Sequence, residues 1–86
     1  MENEHLIFTF YSTHLALEFE DQLDCRGLEV KIIPVPRQIS SSCGLAGRVR
    51  NEDFQEIESI CEKSGLEYEA VYAFNIAENN FEEISF

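Results

Sequence analysis

The chain contains two similar halves, and this internal repeat constrains its fold more than any other feature. A Gly-Leu-Glu triplet that starts at Gly27 recurs at Gly65, a constant offset of 38 residues. The same offset relates Phe19 to Ile57, both on the apolar stripe of a predicted helix. Each half is too short to fold alone, so the two halves are expected to build one core together.

Each half has the pattern of a βαβ unit, so the predicted element order is βαββαβ. The predicted elements are a strand at 6–10, a helix at 13–26, strands at 29–35 and 45–50, a helix capped by Asn51 and ended by Gly65, and a strand at 67–74. Two such units close most simply as a ferredoxin-like α+β sandwich, a four-stranded antiparallel sheet with both helices on one face. A two-layer α+β fold with another strand order is the alternative.

The domain is expected to span residues 1–74, followed by an acidic and apolar tail at 75–86. The tail either folds over the sheet of its own chain or crosses to a second copy. The open sheet face, meaning the face away from the helices, is predicted to be half polar, which suits contact with a partner. Its predicted members are Ile7, Thr9, Lys31, Ile33, Arg48, Val71 and Ala73, whereas Tyr68, Ala70, Tyr72 and Phe74 are expected on the other face.

Seventeen acidic residues against six basic ones give a net charge of −11. This charge repels phosphate backbones and anionic lipids, so nucleic-acid and membrane partners are not expected. The longest mostly apolar stretch, 6–11, is too short to span a membrane and lacks the basic flank of a signal peptide, which predicts a cytoplasmic protein. Three cysteines without a CxxC pair argue against a disulfide framework or a zinc ribbon, and we expect neither metal nor cofactor.

The loop at 36–44, here named the Cys43 loop, is the most informative segment for function. It is longer than a turn between two strands requires, and its end contains a cysteine and a glycine. Gly44 permits backbone angles that turn nearby N–H groups toward an anion, and Ser40, Ser41 and Ser42 add hydroxyl donors. These residue types favour a reactive thiol at Cys43.

Two cations are predicted to lie near this thiol. Arg37 belongs to the same loop, and His14 follows the first strand, whose end meets the same rim of the sheet. Ser12 or Thr13 caps the first helix, whose N-terminal dipole would point toward the rim. Together these groups would stabilise a thiolate or another anion at Cys43.

Less reactive interpretations stand beside each candidate. Cys43 can be a small hydrophobic residue at the head of a strand, and Arg37 and His14 can be ordinary surface residues. Cys61 lies on an apolar stripe and is expected in the core, whereas Cys25 is expected on the surface at the opposite rim, without a disulfide to Cys43. A Cys/His hydrolase is a weak alternative, because no third group that would orient the histidine is visible.

The run from Pro34 to Gly44, together with the segment Tyr11-Ser12-Thr13-His14, resembles the selenium/sulfur carrier protein-like family. The similarity covers residues 6–74, and the Pro-Arg to Ser-Cys-Gly run is its distinctive part. It implies a cytosolic bacterial domain with Cys43 in the carrier position. It also implies supporting roles for Arg37, Ser40, Ser41, Ser42 and Gly44. The tail after Phe74 and the strand glycine Gly47 depart from the family pattern.

The leading hypothesis is a non-enzymatic carrier in which Cys43 holds sulfur or selenium as a persulfide-type anion between donor and acceptor proteins. Arg37 and the loop N–H groups would stabilise the anion, and His14 would move a proton. One alternative is a non-catalytic interaction or regulatory module that binds a partner or a second copy through the open sheet face. Another is a small-anion binder at the Cys43 rim.

Overall fold

A computed structural model describes residues 5–39, 42–75 and 80–84, which form an α+β fold. The five strands make one antiparallel sheet in the order β2-β3-β1-β4-β5. The elements in chain order are β1 (His5–Thr9), α1 (Thr13–Cys25), β2 (Val30–Pro34), β3 (Leu45–Arg50), a 3₁₀ turn (Asn51–Asp53), α2 (Phe54–Ser64), β4 (Ala70–Asn75) and β5 (Asn80–Glu83).

The predicted βαββαβ order is confirmed, but the expectation of four strands is wrong, because β5 adds a fifth. This strand comes from the segment that was expected to be a tail, and it pairs with β4 from Tyr72 opposite Glu83 to Asn75 opposite Asn80. β5 has only four residues and two of them are glutamates, so it lacks the alternation of apolar and polar residues that predicts a strand. Ile76 and Phe86 of the predicted tail lie outside the described residues.

Local signals explain where the first helix begins and ends. The Ser12 hydroxyl accepts the Leu15 N–H at 3.3 Å, and Gly27 adopts a φ of 75° directly after the last turn. The second helix differs from its prediction. Asn51 lies in the 3₁₀ turn and makes no side-chain cap, so α2 begins three residues later, at Phe54.

Both helices pack on the same side of the sheet in one apolar core. The central residue of this core is Phe8, whose ring centroid lies 5.0 Å from those of Phe19 and Tyr68. Gly47 has a packing role, since a Cβ there would stand 2.9 Å from the Phe19 ring. The buried members of the core are Leu6, Phe8, Phe10, Ala16, Phe19, Leu23, Val49, Ile57, Ile60, Cys61, Leu66 and Val71.

The open sheet face carries a second, smaller apolar cluster. Its buried members are Ile7, Ala46 and Ile39, and Ile39 comes from the Cys43 loop, which folds back over the face. Phe81 of β5 packs against the same cluster. The segment after β4 therefore folds onto its own chain, at least where β5 is described.

The predicted faces of β4 are reversed. Val71 and Ala73 pack with the helices, whereas Tyr72 packs on the open sheet face. The strand begins at Ala70, so Tyr68 lies before it. The Tyr68 side chain packs against the core without following the alternation of β4. Counting the alternation from residue 67 therefore places Val71, Tyr72 and Ala73 on the wrong faces of the sheet.

Candidate functional site

Four strands meet at the rim where the candidate thiol lies. Thr9, at the end of β1, is opposite Ala46 of β3 and Ala70 of β4, and Pro34, at the end of β2, is opposite Leu45. The ends of β1 and β2 therefore lie beside the starts of β3 and β4, which confirms the predicted convergence of the strand ends. The Cys43 loop closes this rim.

Cys43 is half-buried in a tight turn that leads into β3. Its Sγ accepts the N–H of Leu45 at 3.4 Å and lies 3.5 Å from the Leu45 carbonyl oxygen, toward which the thiol donates. Gly44 has a φ of 80°, in the left-handed region that favours glycine, and this conformation brings the Leu45 N–H back toward the sulfur. The turn thus places one backbone donor and one backbone acceptor, both of Leu45, beside the sulfur.

The neighbouring residue, Ser42, is held by Glu69, an acid directly before β4. Its N–H donates to Glu69 Oε1 at 3.1 Å and its hydroxyl donates to Glu69 Oε2 at 2.9 Å. The Glu69 N–H in turn donates to the Thr9 carbonyl at 2.6 Å. The Glu69 carboxylate therefore accepts from both donors of Ser42, and the Glu69 backbone connects this contact to β1.

The predicted cations contribute less to this geometry than expected. Arg37 is exposed and has no hydrogen bond or ion pair with any residue that the structure describes. His14 is exposed, with Nε2 3.6 Å from the Glu18 carboxylate on its own helix. The described contacts link neither side chain to Cys43.

The other predicted site residues fall into three groups. Ser12 uses its hydroxyl to cap α1, and Thr13 is the exposed first residue of that helix. Ser42 and Gly44 belong to the geometry around Cys43. Ser40 and Ser41 lie outside the described residues.

The three cysteines have different surroundings, and all three are free. Cys25 is exposed at the end of α1, as predicted. Cys61 is in the core, also as predicted, with only 5% of its surface exposed. Burial, and to a smaller extent the charge of Glu58, raises the pKa of the Cys61 thiol to about 11.

The sequence interpretation missed Glu69, and the topology contains the signal that would have found it. Because β4 runs antiparallel to β1, the start of β4 lies at the rim where β1 ends. An acid directly before β4 is therefore a neighbour of the Cys43 loop. The misplaced start of β4 concealed this, since it put Glu69 inside the strand.

Within the described part of the chain, no three or more His, Cys, Asp and Glu side chains are grouped as metal ligands would be. Neither of its helices has the length and apolar composition that crossing a bilayer requires.

Comparison with known proteins gives one match. No curated protein and no solved structure is significantly similar to this chain. Residues 5–73, which include the whole Cys43 loop and both helices, match the family model described as "Putative Se/S carrier protein-like". The match covers well over half of the 86 residues. The chain therefore belongs to this Se/S carrier protein-like family.

Proposed function

We propose that the protein is a carrier in which the Cys43 sulfur holds one sulfur or selenium atom as a persulfide or selenopersulfide. Membership of the family supports this proposal at the level of the family's name. The choice of Cys43 is supported by its position, since it is half-buried in a turn whereas Cys61 is enclosed by the core.

The observation that carries the proposal is the contact between the Leu45 N–H and the Cys43 Sγ at 3.4 Å. The Cys43 sulfur carries the negative charge as the attacking thiolate during loading and as the leaving thiolate during release, and a backbone donor aimed at this atom favours that charge without a nearby cation. Arg37, exposed in the same loop, is available for the outer atom. We assign no step to His14, because its ring lies beside Glu18.

The transfer steps balance without an external oxidant. The Cys43 thiolate attacks the outer sulfur of a donor persulfide, so that a new S–S bond forms, the donor S–S bond breaks and the donor thiolate leaves. In the second step an acceptor thiolate attacks the outer sulfur on Cys43, and the Cys43 thiolate leaves. Selenium transfer from a donor selenopersulfide follows the same pattern, with selenium as the outer atom.

The partners in this scheme are donor and acceptor proteins, and the protein itself is not a catalyst. A free, partly exposed thiol persists in a reducing compartment, so we propose a cytoplasmic location. We prefer this function to docking through the open sheet face, because Ile39 and Phe81 of the same chain already pack on that face. A small-anion site at the rim is less favoured, since Glu69 occupies both donors of Ser42.

The proposal is tested by incubating the protein with a low-molecular-weight persulfide donor and mapping the added mass to peptides. We expect one extra sulfur atom on the peptide containing Cys43, transfer of that atom to an added thiol, and complete loss of loading in Cys43→Ser. Cys25→Ser is the matched control and should load like the wild type. Equal loading of the Cys43→Ser variant would overturn the proposal.

A further inference from the structure

The cations of this acidic chain are gathered away from the thiol. Three of its six basic residues, Lys31, Arg48 and Arg50, line one cavity of about 180 Å³ toward the end of β3 farthest from Cys43. His5 and Glu29 complete its charged and titratable lining, and Val30 and Val49 are its apolar members. We name this site the cation cavity.

Two of these cations are direct neighbours across strands. Lys31 of β2 is opposite Arg48 of β3, and Arg48 is also opposite Ile7 of β1, which places both cations on the open sheet face. Side chains at directly opposite positions have Cβ atoms about 5 Å apart, and like charges there are destabilising. A negative charge between the two side chains would therefore be favourable.

The residues that the structure describes supply little of that charge. Arg50 is paired with Glu52, which raises the Arg50 pKa through a hydrogen bond and its charge. Neither Lys31 nor Arg48 has an ion pair or hydrogen bond in the described part of the chain. Among the described residues that line the cavity, Glu29 is the one acid, against three cations.

We propose that the cation cavity binds a small phosphate-type oxyanion, held mainly by Lys31 and Arg48 with Arg50 at its edge. An arginine fork and a lysine ammonium match the oxygen geometry and charge of phosphate. The ligand would relieve the repulsion between the two opposed cations. This site is separate from the proposed carrier thiol, since none of the described residues of the Cys43 loop lines the cavity.

The test measures thermal stability with added inorganic phosphate, a phosphate monoester such as phenyl phosphate, or chloride at the same ionic strength. Saturating phosphate should raise the melting temperature of the wild type by about 5 °C above the chloride value. Lys31→Gln and Arg48→Gln should each lose most of that rise. Lys63→Gln removes the same charge from α2 and is the matched control, which should keep the rise.

A second readout separates binding from general charge effects. Phosphate should shift the amide resonances of Val30 and Val49 in a saturable way in the wild type and in Lys63→Gln, and not in Arg48→Gln. A tighter effect of the monoester would identify a phosphate ester as the ligand. No rise above chloride with either compound, or an equal loss in Lys63→Gln, would overturn the proposal. Self-association abolished by Arg48→Gln without any phosphate effect would also overturn it, since the cations would then serve a second copy.

Discussion

The two ends of β3 differ in the charges that surround them. At the start of the strand, the Cys43 sulfur receives a backbone N–H, and the nearest hydrogen-bonded side-chain charge is the Glu69 carboxylate on Ser42. Toward the other end, Lys31 and Arg48 face each other with no acid bonded to them in the described residues. The sequence interpretation expected the positive region around the thiol.

In the proposed carrier, the thiol therefore relies on a backbone donor and not on a cluster of cations. A fixed N–H group carries a partial positive charge that requires no counter-ion and adds no attraction for the many acids of the chain. A carrier sulfur must also release its cargo, and a strong permanent cation beside it would hold the anion too tightly. The proposed function therefore assigns the main role at the Cys43 rim to the backbone turn at Gly44.

The largest predicted contrast is between two thiols. Cys61 should react with iodoacetamide at least about 100-fold more slowly than Cys43 in the native protein, because it must wait for the core to open. Peptide-mapped alkylation over time measures both rates in one sample. Comparable rates would show that the region around Cys61 opens freely and would weaken the contrast between core and rim.

The core thiol also predicts a pH dependence of stability. Its pKa is raised from the ordinary 9.0 to about 11, so the folded protein retains a proton that the unfolded chain releases. The stabilisation is full below about pH 9 and is lost as pH rises toward 11, on the order of 2 kcal/mol. Denaturant unfolding at a series of pH values measures it. In Cys61→Ala the slope should flatten, leaving the part from Tyr68, whose pKa burial also raises; an unchanged slope would contradict this assignment.

Gly44→Ala tests the turn at the Cys43 rim directly. A residue with a Cβ is strained at a φ of 80°, so we expect a loss of about 1 kcal/mol in unfolding free energy. The Leu45 N–H should also move from the sulfur, which lowers the alkylation rate of Cys43 several-fold.

Gly27→Ala is the matched control for that substitution. Gly27 has a φ of 75°, and an added Cβ meets nothing within 4 Å at either position. The control should lose similar stability and leave the Cys43 rate unchanged. Equal slowing of Cys43 in both variants would show that the turn has no specific effect on the sulfur.

Glu69→Ala should release Ser42 from the central strand. Loss of the hydrogen bond predicts that the Ser42 amide exchanges with deuterium about 2- to 10-fold faster. Glu69→Gln keeps one acceptor and should lie between Glu69→Ala and the wild type. Glu67→Ala removes an exposed acid two residues away and should leave Ser42 exchange unaltered; if it accelerates exchange equally, the effect is one of charge and not of the hydrogen bond.

The smallest expected effects come from removing single cations near the two ends of β3. Arg37→Gln should slow the reaction of Cys43 with anionic iodoacetate by about 2-fold or less and hardly affect neutral iodoacetamide, since exposed charges are screened over about 10 Å. Lys31→Gln should change neither rate measurably. A larger effect of Lys31→Gln than of Arg37→Gln would contradict the separation of the two ends.

The repeat and the glycine positions predicted the helices, the strand order and the rim that contains Cys43, because each depends on local pattern and chain connectivity. The fifth strand was missed because Glu82 and Glu83 resemble a solvated tail and pair only when β4 is beside them. Glu69 was missed because its partner, Ser42, is 27 residues away, a contact that only the folded sheet creates. The cation cavity likewise depends on strand register.

The most direct test of the account is the alkylation of native protein near neutral pH, with each cysteine followed by peptide mapping. We expect Cys43 to react fastest of the three cysteines, and faster than the same cysteine in the denatured chain. A Cys43 rate equal to or below the denatured-chain rate would contradict the claim that the Gly44 turn prepares this sulfur for transfer.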